Sequence, residues 1–361
     1  MPHQLLRMID ANLNRSSEGL RVLEDVARFL INDAELCQRL KTLRHDLARC
    51  TSSLNAELLS QRNAWHDVGY LSSRANERNM ETTSPRSLLD LVTANAKRVE
   101  ESLRVVEELA KLPEISHVLN SSRFEQARFT LYTLERDLIS LILRRDKTER
   151  ISGLYVILDR QFLMGRDELD ITRHIIEGGA RVIQLRDKES KRGELIVVAK
   201  KIRELCSQAD VLFIINDYLD LALAVDADGL HIGQEDMPLP VIRKQLPIDK
   251  IIGCSVRTLP QATKAQTEGA DYIAVGSIFR TTTKIEATVV GVDMLKDLKR
   301  TVSTPIVAIG GISQNNVDEV VAAGADAIAV ISAVLGAKDV KGAVQKLVAK
   351  IDSGKERCQN L

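Results

Sequence analysis

Between residues 184 and 332, polar and charged side chains recur directly after short apolar runs, and their types suit the handling of a multiply charged anion. One run ends in Gln184-Leu185-Arg186-Asp187-Lys188, the next in Asn216-Asp217, and a third in His231-Ile232-Gly233-Gln234-Glu235-Asp236. Ser255, Thr281-Thr282-Thr283-Lys284, Gly310-Gly311 and Ile331-Ser332 close later runs. Arg186, Lys188 and Lys284, with little other basic clustering, suit a diphosphate. Asp217 and Asp236, with Asn216 beside them, suit a hard, oxygen-seeking cation such as Mg²⁺ that bridges to that diphosphate. The glycine pair and the turn at Ser332 match a cradle in which backbone N–H groups at a short helix N-terminus hold a phosphate. Two anion sites imply two phosphorylated substrates, a transferase pattern.

Each residue also has a plainer reading. Asp236 could cap a helix opening at Met237-Pro238, Gly310-Gly311 could only relieve a tight turn, and Cys254 reads as a buried strand residue. His231 reads as a group that supports the site from beneath rather than as a base.

The runs that must carry these residues are Leu154–Leu158, Arg181–Leu185, Leu212–Ile215, Gly229–Ile232, Ile251–Val256, Tyr272–Ile278, Pro305–Ile309 and Ala327–Ile331. Each is followed by a helix-compatible stretch. Near-continuous apolar strands belong to a parallel sheet covered on both faces, and eight such units over 151–352 predict an α/β fold, a closed (β/α)8 TIM barrel. No GxGxxG follows the first run, which speaks against an open dinucleotide-binding sheet.

Residues 1–147 have a different pattern. Leu20, Leu23, Ala27 and Leu30, and again Leu103, Val106 and Ala110, recur at helical spacing, predicting an all-α domain with a loop at 71–86. It repeats itself: residues 10–29 and 93–112 share nine identities in twenty positions, among them Asn12/Asn95, Arg15/Arg98, Glu18/Glu101, Arg21/Arg104 and Glu24/Glu107. A weaker echo pairs Thr42-Leu43 and Asp46-Leu47 with Thr133-Leu134 and Asp137-Leu138. A duplicated helical hairpin packed on its own copy accounts for this. The charged stretch 144–150 reads as the linker.

The 50 basic and 50 acidic residues cancel, so no global field favours nucleic acid or an anionic membrane. The five cysteines show no CxxC spacing and read as reduced thiols. With no leader-like N-terminus and no long apolar run, a cytoplasmic protein is expected, one that forms a homo-oligomer being compatible.

The segments QLRDK, FIIND, GLHIGQED, GCSV, VGSIFRTTTK, VAIGGI and VISAV resemble, in order, the signature motifs of thiamine phosphate synthases. The resemblance covers 151–350. It implies condensation of 4-amino-2-methyl-5-(diphosphomethyl)pyrimidine with 4-methyl-5-(2-phosphoethyl)thiazole, or its carboxylated form with loss of CO₂, releasing pyrophosphate. It further implies that Gln184, Arg186, Lys188, Asn216, Ser255 and Lys284 bind the pyrimidine diphosphate, with Arg186, Lys188, Ser255 and Lys284 as the catalytic groups. Asp217 and Asp236 would hold Mg²⁺, and Thr281, Thr283, Gly311, Ile331 and Ser332 the thiazole phosphate. A thiazole tautomerase of shared ancestry is the alternative, but it has no diphosphate to hold. Where the family carries prolines near the sixth run, this chain has Ser277 and Arg280, which predicts a looser loop. Residues 1–147 resemble a helical domain fused ahead of the synthase in some bacteria and proposed to be a hydroxymethylpyrimidine phosphate kinase, although no P-loop is present.

Overall fold

The apolar runs after residue 150 form eight strands in the computed structural model, which describes residues 3–61, 87–281 and 288–359. They are β1 Gly153–Asp159, β2 Val182–Arg186, β3 Leu212–Asn216, β4 Gly229–Ile232, β5 Ile251–Val256, β6 Tyr272–Val275, β7 Ile306–Ile309 and β8 Ala327–Val330. All pair in parallel in chain order, and β8 closes onto β1. Alternate residues point to opposite faces. Tyr155, Ile157, Leu212, Ile214, Tyr272 and Val307 fill the barrel interior, while Leu154, Val156, Leu158, Ile183 and Phe213 pack outward with residues of the surrounding helices. Both faces are therefore buried, which is why the strands read as unbroken apolar runs. β6 stops at Val275, three residues short of the expected Ile278. Gly276 passes so close to β7 that a Cβ there would lie 2.2 Å from the Ile309 carbonyl.

Two units divide the chain, Met1–Leu143 and Arg144–Leu361. The expected linker at 144–150 is instead the end of the helix Ser121–Glu149. Its charges are neutralised within the second unit: Arg144 pairs with Asp271 at 3.4 Å, Lys147 with Asp249 at 3.0 Å, and Arg150 with Asp210 at 3.0 Å. A run that looked solvated is thus matched carboxylate by carboxylate, and the chain has no reason to leave the helix. The last helix likewise continues past the expected end at 352, spanning Val340–Gln359.

In the first unit the principal helices are His3–Asp25, Ala34–Cys50, Leu88–Leu109 and the start of Ser121–Glu149. The loop expected at 71–86 lies outside the described residues. Ser87 and Asp90 form a reciprocal capping box, and Asp33 caps Ala34–Cys50 by accepting from the Leu36 N–H at 2.8 Å. Gly19 lets His3–Asp25 approach Leu88–Leu109, since a Cβ there would lie 2.5 Å from Val99 Cγ2.

The sequence repeat is also a repeat of contacts. Asn12 donates to the Met8 carbonyl as Asn95 does to Leu91. Glu24 accepts from Arg21 and Arg44, and Glu107 from Arg104 and Arg128. These bonds equate Arg44 with Arg128, an offset of 84, whereas the echo at Thr42/Thr133 runs at 91. That echo is out of register by 91 − 84 = 7 residues, about two helical turns, a shift that leaves apolar spacing looking intact.

One copy carries an acidic pair. Burial, then the facing Glu100 carboxyl, raise Glu135 to about 7. A carboxyl whose folded pKa exceeds its unfolded value binds extra protons when folded, so stability falls as pH rises from 4.5 to about 7. Glu135→Gln keeps the protonated shape. It is expected to stabilise the chain at pH 8 by about 1 kcal/mol, discounted for partial exposure, and to do little at pH 5. Thermal unfolding at the two pH values checks this; equal shifts would contradict it.

Candidate active site

The C-terminal strand ends surround a cavity of about 460 Å³. Gln184, Arg186, Lys188, Asn216, Asp217, Asp236, Ser255, Thr281, Gly311, Ile331 and Ser332 all border it. Thr283 and Lys284 lie outside the described residues.

Asp217 follows β3 with φ 62°, a left-handed conformation that Asp tolerates better than most residues. Its N–H donates to the His231 carbonyl at 2.8 Å, pinning the turn to β4. Burial, then the nearby Asp236 carboxylate, raise the Asp217 pKa, and Lys188, 3.6 Å away, opposes the rise. Asp236 accepts from the Gly233 N–H at 2.6 Å. It does not cap the following helix, which begins at Leu239 behind Pro238. Two neighbouring carboxylates facing the cavity are a fit for a hard divalent cation. Among the described residues no third His, Cys, Asp or Glu completes a metal cluster. Mg²⁺ is commonly held by one or two carboxylates, with water and substrate phosphate supplying the rest.

Arg186 contacts Asp159, a buried carboxylate at the end of β1 that the sequence reading missed. The rule that found the other rim residues, a polar group just after an apolar run, would have found it. Asp187, inside the QLRDK motif, accepts from the N–H groups of Glu189 and Ser190, both at 2.9 Å, and so builds the turn that presents Lys188. Arg257 and Gln234 also border the cavity and were not singled out.

On the other side, Gly310 and Gly311 have φ of 100° and 67°. A Cβ at Gly310 would lie 2.1 Å from Ser277 Oγ, and one at Gly311 2.5 Å from the Arg280 carbonyl. The glycines are required by both backbone conformation and close approach. The chain after β6 is stitched to this turn: Ile278 and Phe279 donate to the Ile309 and Gly310 carbonyls at 2.9 Å, and Ser277 Oγ donates to the Phe279 carbonyl at 2.6 Å. Ser277 thus ties residues 277–279 to the glycine turn, while the loop expected to be looser lies, beyond Thr281, outside the described residues. Ser332 opens the short helix Ser332–Leu335.

Beneath the cavity runs a chain of side chains: Gln184 Nε2 to Tyr155 Oη (2.7 Å), Tyr155 Oη to Tyr272 Oη (3.0 Å), Tyr272 Oη to His231 Nδ1 (3.1 Å), and His231 Nε2 to Ser255 Oγ (2.9 Å). Burial depresses the His231 pKa to about 4, so the ring is neutral and has one N–H. As expected, it lies under the site. The two tyrosines were hidden within apolar runs.

A closed parallel barrel with its polar residues gathered at the C-terminal rim, carboxylates facing cations across from a glycine turn, has the architecture of an α/β-barrel enzyme. Residues 154–334 match the family model described as thiamine monophosphate synthase, and residues 7–137 match that of the ThiD2 family. A thiamine-phosphate synthase from Thermosynechococcus vestitus is 35% identical over 97% of this chain and 96% of its own length. One from Moorella thermoacetica is 49% identical over 54% of this chain and 93% of its own. Among solved structures, the thiamine phosphate pyrophosphorylase of Pyrococcus furiosus is 41% identical, with a TM-score of 0.54, covering 58% of this chain and 98% of that one. The chain belongs to the thiamine monophosphate synthase family.

Proposed function

We propose that the barrel condenses 4-amino-2-methyl-5-(diphosphomethyl)pyrimidine with 4-methyl-5-(2-phosphoethyl)thiazole, or its carboxylated form, to thiamine phosphate with release of pyrophosphate. The observation that carries this is the single cavity bordered by Lys188, Asp217 and Asp236 on one side and by Gly311 and Ser332 on the other. That is room and polarity for two anions. Gln184, Asn216 and Ser255 orient the pyrimidine, while Arg186 and Lys188, with Lys284, hold its diphosphate. Thr281, Thr283, Gly311, Ile331 and Ser332 hold the thiazole phosphate. Asp217 and Asp236 would hold Mg²⁺, which when bound neutralises charge on the diphosphate. Arg186 and Lys188, already placed on the diphosphate, stabilise the negative charge that grows on it as the methylene–oxygen bond breaks. The pyrimidine ring stabilises the methylene cation, and the thiazole nitrogen captures it. No protein nucleophile takes part.

A second activity is favoured by the match of residues 7–137 to the ThiD2 family. In this reading the N-terminal unit phosphorylates hydroxymethylpyrimidine phosphate and so makes the barrel's substrate. One assay tests both. The full chain with Mg²⁺ and thiazole phosphate is given either the pyrimidine diphosphate or the pyrimidine monophosphate with ATP. Thiamine phosphate is expected in both arms. Product in the first arm alone would overturn the kinase and leave a scaffolding or dimerisation module; product in neither would overturn the synthase.

A further inference from the structure

We infer that Tyr155, Tyr272 and His231 form a positioning relay that fixes which end of the pyrimidine pocket donates and which accepts a hydrogen bond, thereby selecting an amino- over an oxo-pyrimidine. The inference rests on the pyrimidine-binding role proposed above for Gln184 and Ser255, the two ends of the chain. Both border the cavity, and the three groups between them are buried inside the barrel.

The direction of the chain is set by the amide of Gln184, whose nitrogen faces Tyr155. An amide nitrogen only donates, so Tyr155 Oη accepts from Gln184 Nε2 at 2.7 Å. Each phenol has one proton, and burial raises both phenols well above the ordinary range, so both keep it. With the Gln184 nitrogen turned to Tyr155, a hydrogen bond donated by Tyr272 to Tyr155 would leave the Tyr155 proton without an acceptor among the described residues, and a buried donor left unpaired is costly. Run from Gln184 toward Ser255, every group gives one hydrogen bond and takes one. Tyr155 donates to Tyr272, Tyr272 to His231 Nδ1, and His231 Nε2–H to Ser255 Oγ.

Both ends are thereby set. Ser255 Oγ accepts from below, so its own proton is presented to the cavity as a donor. The Gln184 nitrogen is committed to Tyr155, so its carbonyl oxygen is presented as an acceptor. A 4-aminopyrimidine offers the complement, an exocyclic N–H and a ring nitrogen; a 4-oxopyrimidine offers a carbonyl and a ring N–H, the reverse. Tyr272 occupies its place because β5 carries Gly253 opposite it, where a Cβ would lie 2.0 Å from the tyrosine Cζ. Its ring stacks on His231 with centroids 5.5 Å apart.

Tyr272→Phe cuts the chain in the middle. Tyr155 is then free to donate to Gln184, the amide turns over, and Ser255 can donate to His231. The test is kcat/KM for the 4-amino substrate relative to its 4-oxo analogue, measured on the full chain. The relay predicts that Tyr272→Phe lowers this ratio by about tenfold or more, mainly through KM for the pyrimidine, with KM for the thiazole phosphate unchanged. A merely structural tyrosine would lower both pyrimidines alike and keep the ratio, overturning the relay. Tyr155→Phe carries the same expectation if Tyr272→Phe fails to fold. The wild-type chain gives an independent reading: ¹⁵N-histidine NMR is expected to show His231 protonated at Nε2, and protonation at Nδ1 would overturn the relay. Wild-type turnover with an unchanged ratio in the variants sinks the relay alone; absent wild-type turnover sinks the proposed function and the relay with it.

Discussion

Asp217→Ala and Lys188→Ala are each expected to lower turnover by roughly a hundredfold while leaving the barrel folded. Fold retention follows from the local structure. The turn at Asp217 is held by its backbone N–H on the His231 carbonyl, a bond that the side chain does not make. Alanine at φ 62° costs about 1 kcal/mol. The two variants should differ in kind. Burial and then the nearby Asp236 carboxylate raise the Asp217 pKa, the arrangement expected of a pair that shares a cation. Asp217→Ala should therefore raise the Mg²⁺ concentration needed for half-maximal rate. Lys188→Ala should lower the rate at saturating Mg²⁺, because it removes charge from the leaving diphosphate directly. Steady-state rates across a Mg²⁺ titration check both, and a near-normal rate in either variant would contradict the diphosphate site.

Gly253→Ala is expected to destabilise the barrel by about 3 kcal/mol or more, lowering the midpoint of thermal unfolding by roughly 10 °C. The added Cβ would lie 2.0 Å from Tyr272 Cζ and 2.3 Å from Cε2. Most buried collisions of this kind are relieved by a rotamer change. Here the ring is fully buried, bonded at its hydroxyl to Tyr155 and His231, and stacked on His231, so no free rotamer is open to it. Adding Tyr272→Ala to Gly253→Ala should cost less than the sum of the two single changes, because truncating the ring removes the collision that the added Cβ makes. Strict additivity in thermal unfolding would show that the strain lies elsewhere.

The barrel was legible in the sequence because its physics is repetitive. Eight apolar runs buried on both faces look alike, and the polar residue after each run marks the rim. Arg186, Asp217, Asp236 and Ser255 could be found that way. Asp159 obeys the same rule and was passed over only because β1 has no neighbouring motif. Tyr155 and Tyr272 were illegible for a physical reason: a hydroxyl inside an apolar run looks like one more large core residue until the fold brings five strands' side chains together. The charged segment 144–150 misled in the opposite sense. Its partners, Asp210, Asp249 and Asp271, lie far along the chain, so a helix end matched by barrel carboxylates resembled a solvated linker. In the first unit the repeat was legible from polar identities such as Glu24/Glu107, while its weaker echo slid by two turns because apolar spacing is nearly the same at either register.

The most direct measurement is ³¹P NMR of the full chain with Mg²⁺, the pyrimidine diphosphate and the thiazole phosphate. The expected result, with both substrates present, is one pyrophosphate for each thiamine phosphate formed. No thiamine phosphate, or thiamine phosphate formed without an equal amount of pyrophosphate, would contradict the condensation assigned to this barrel.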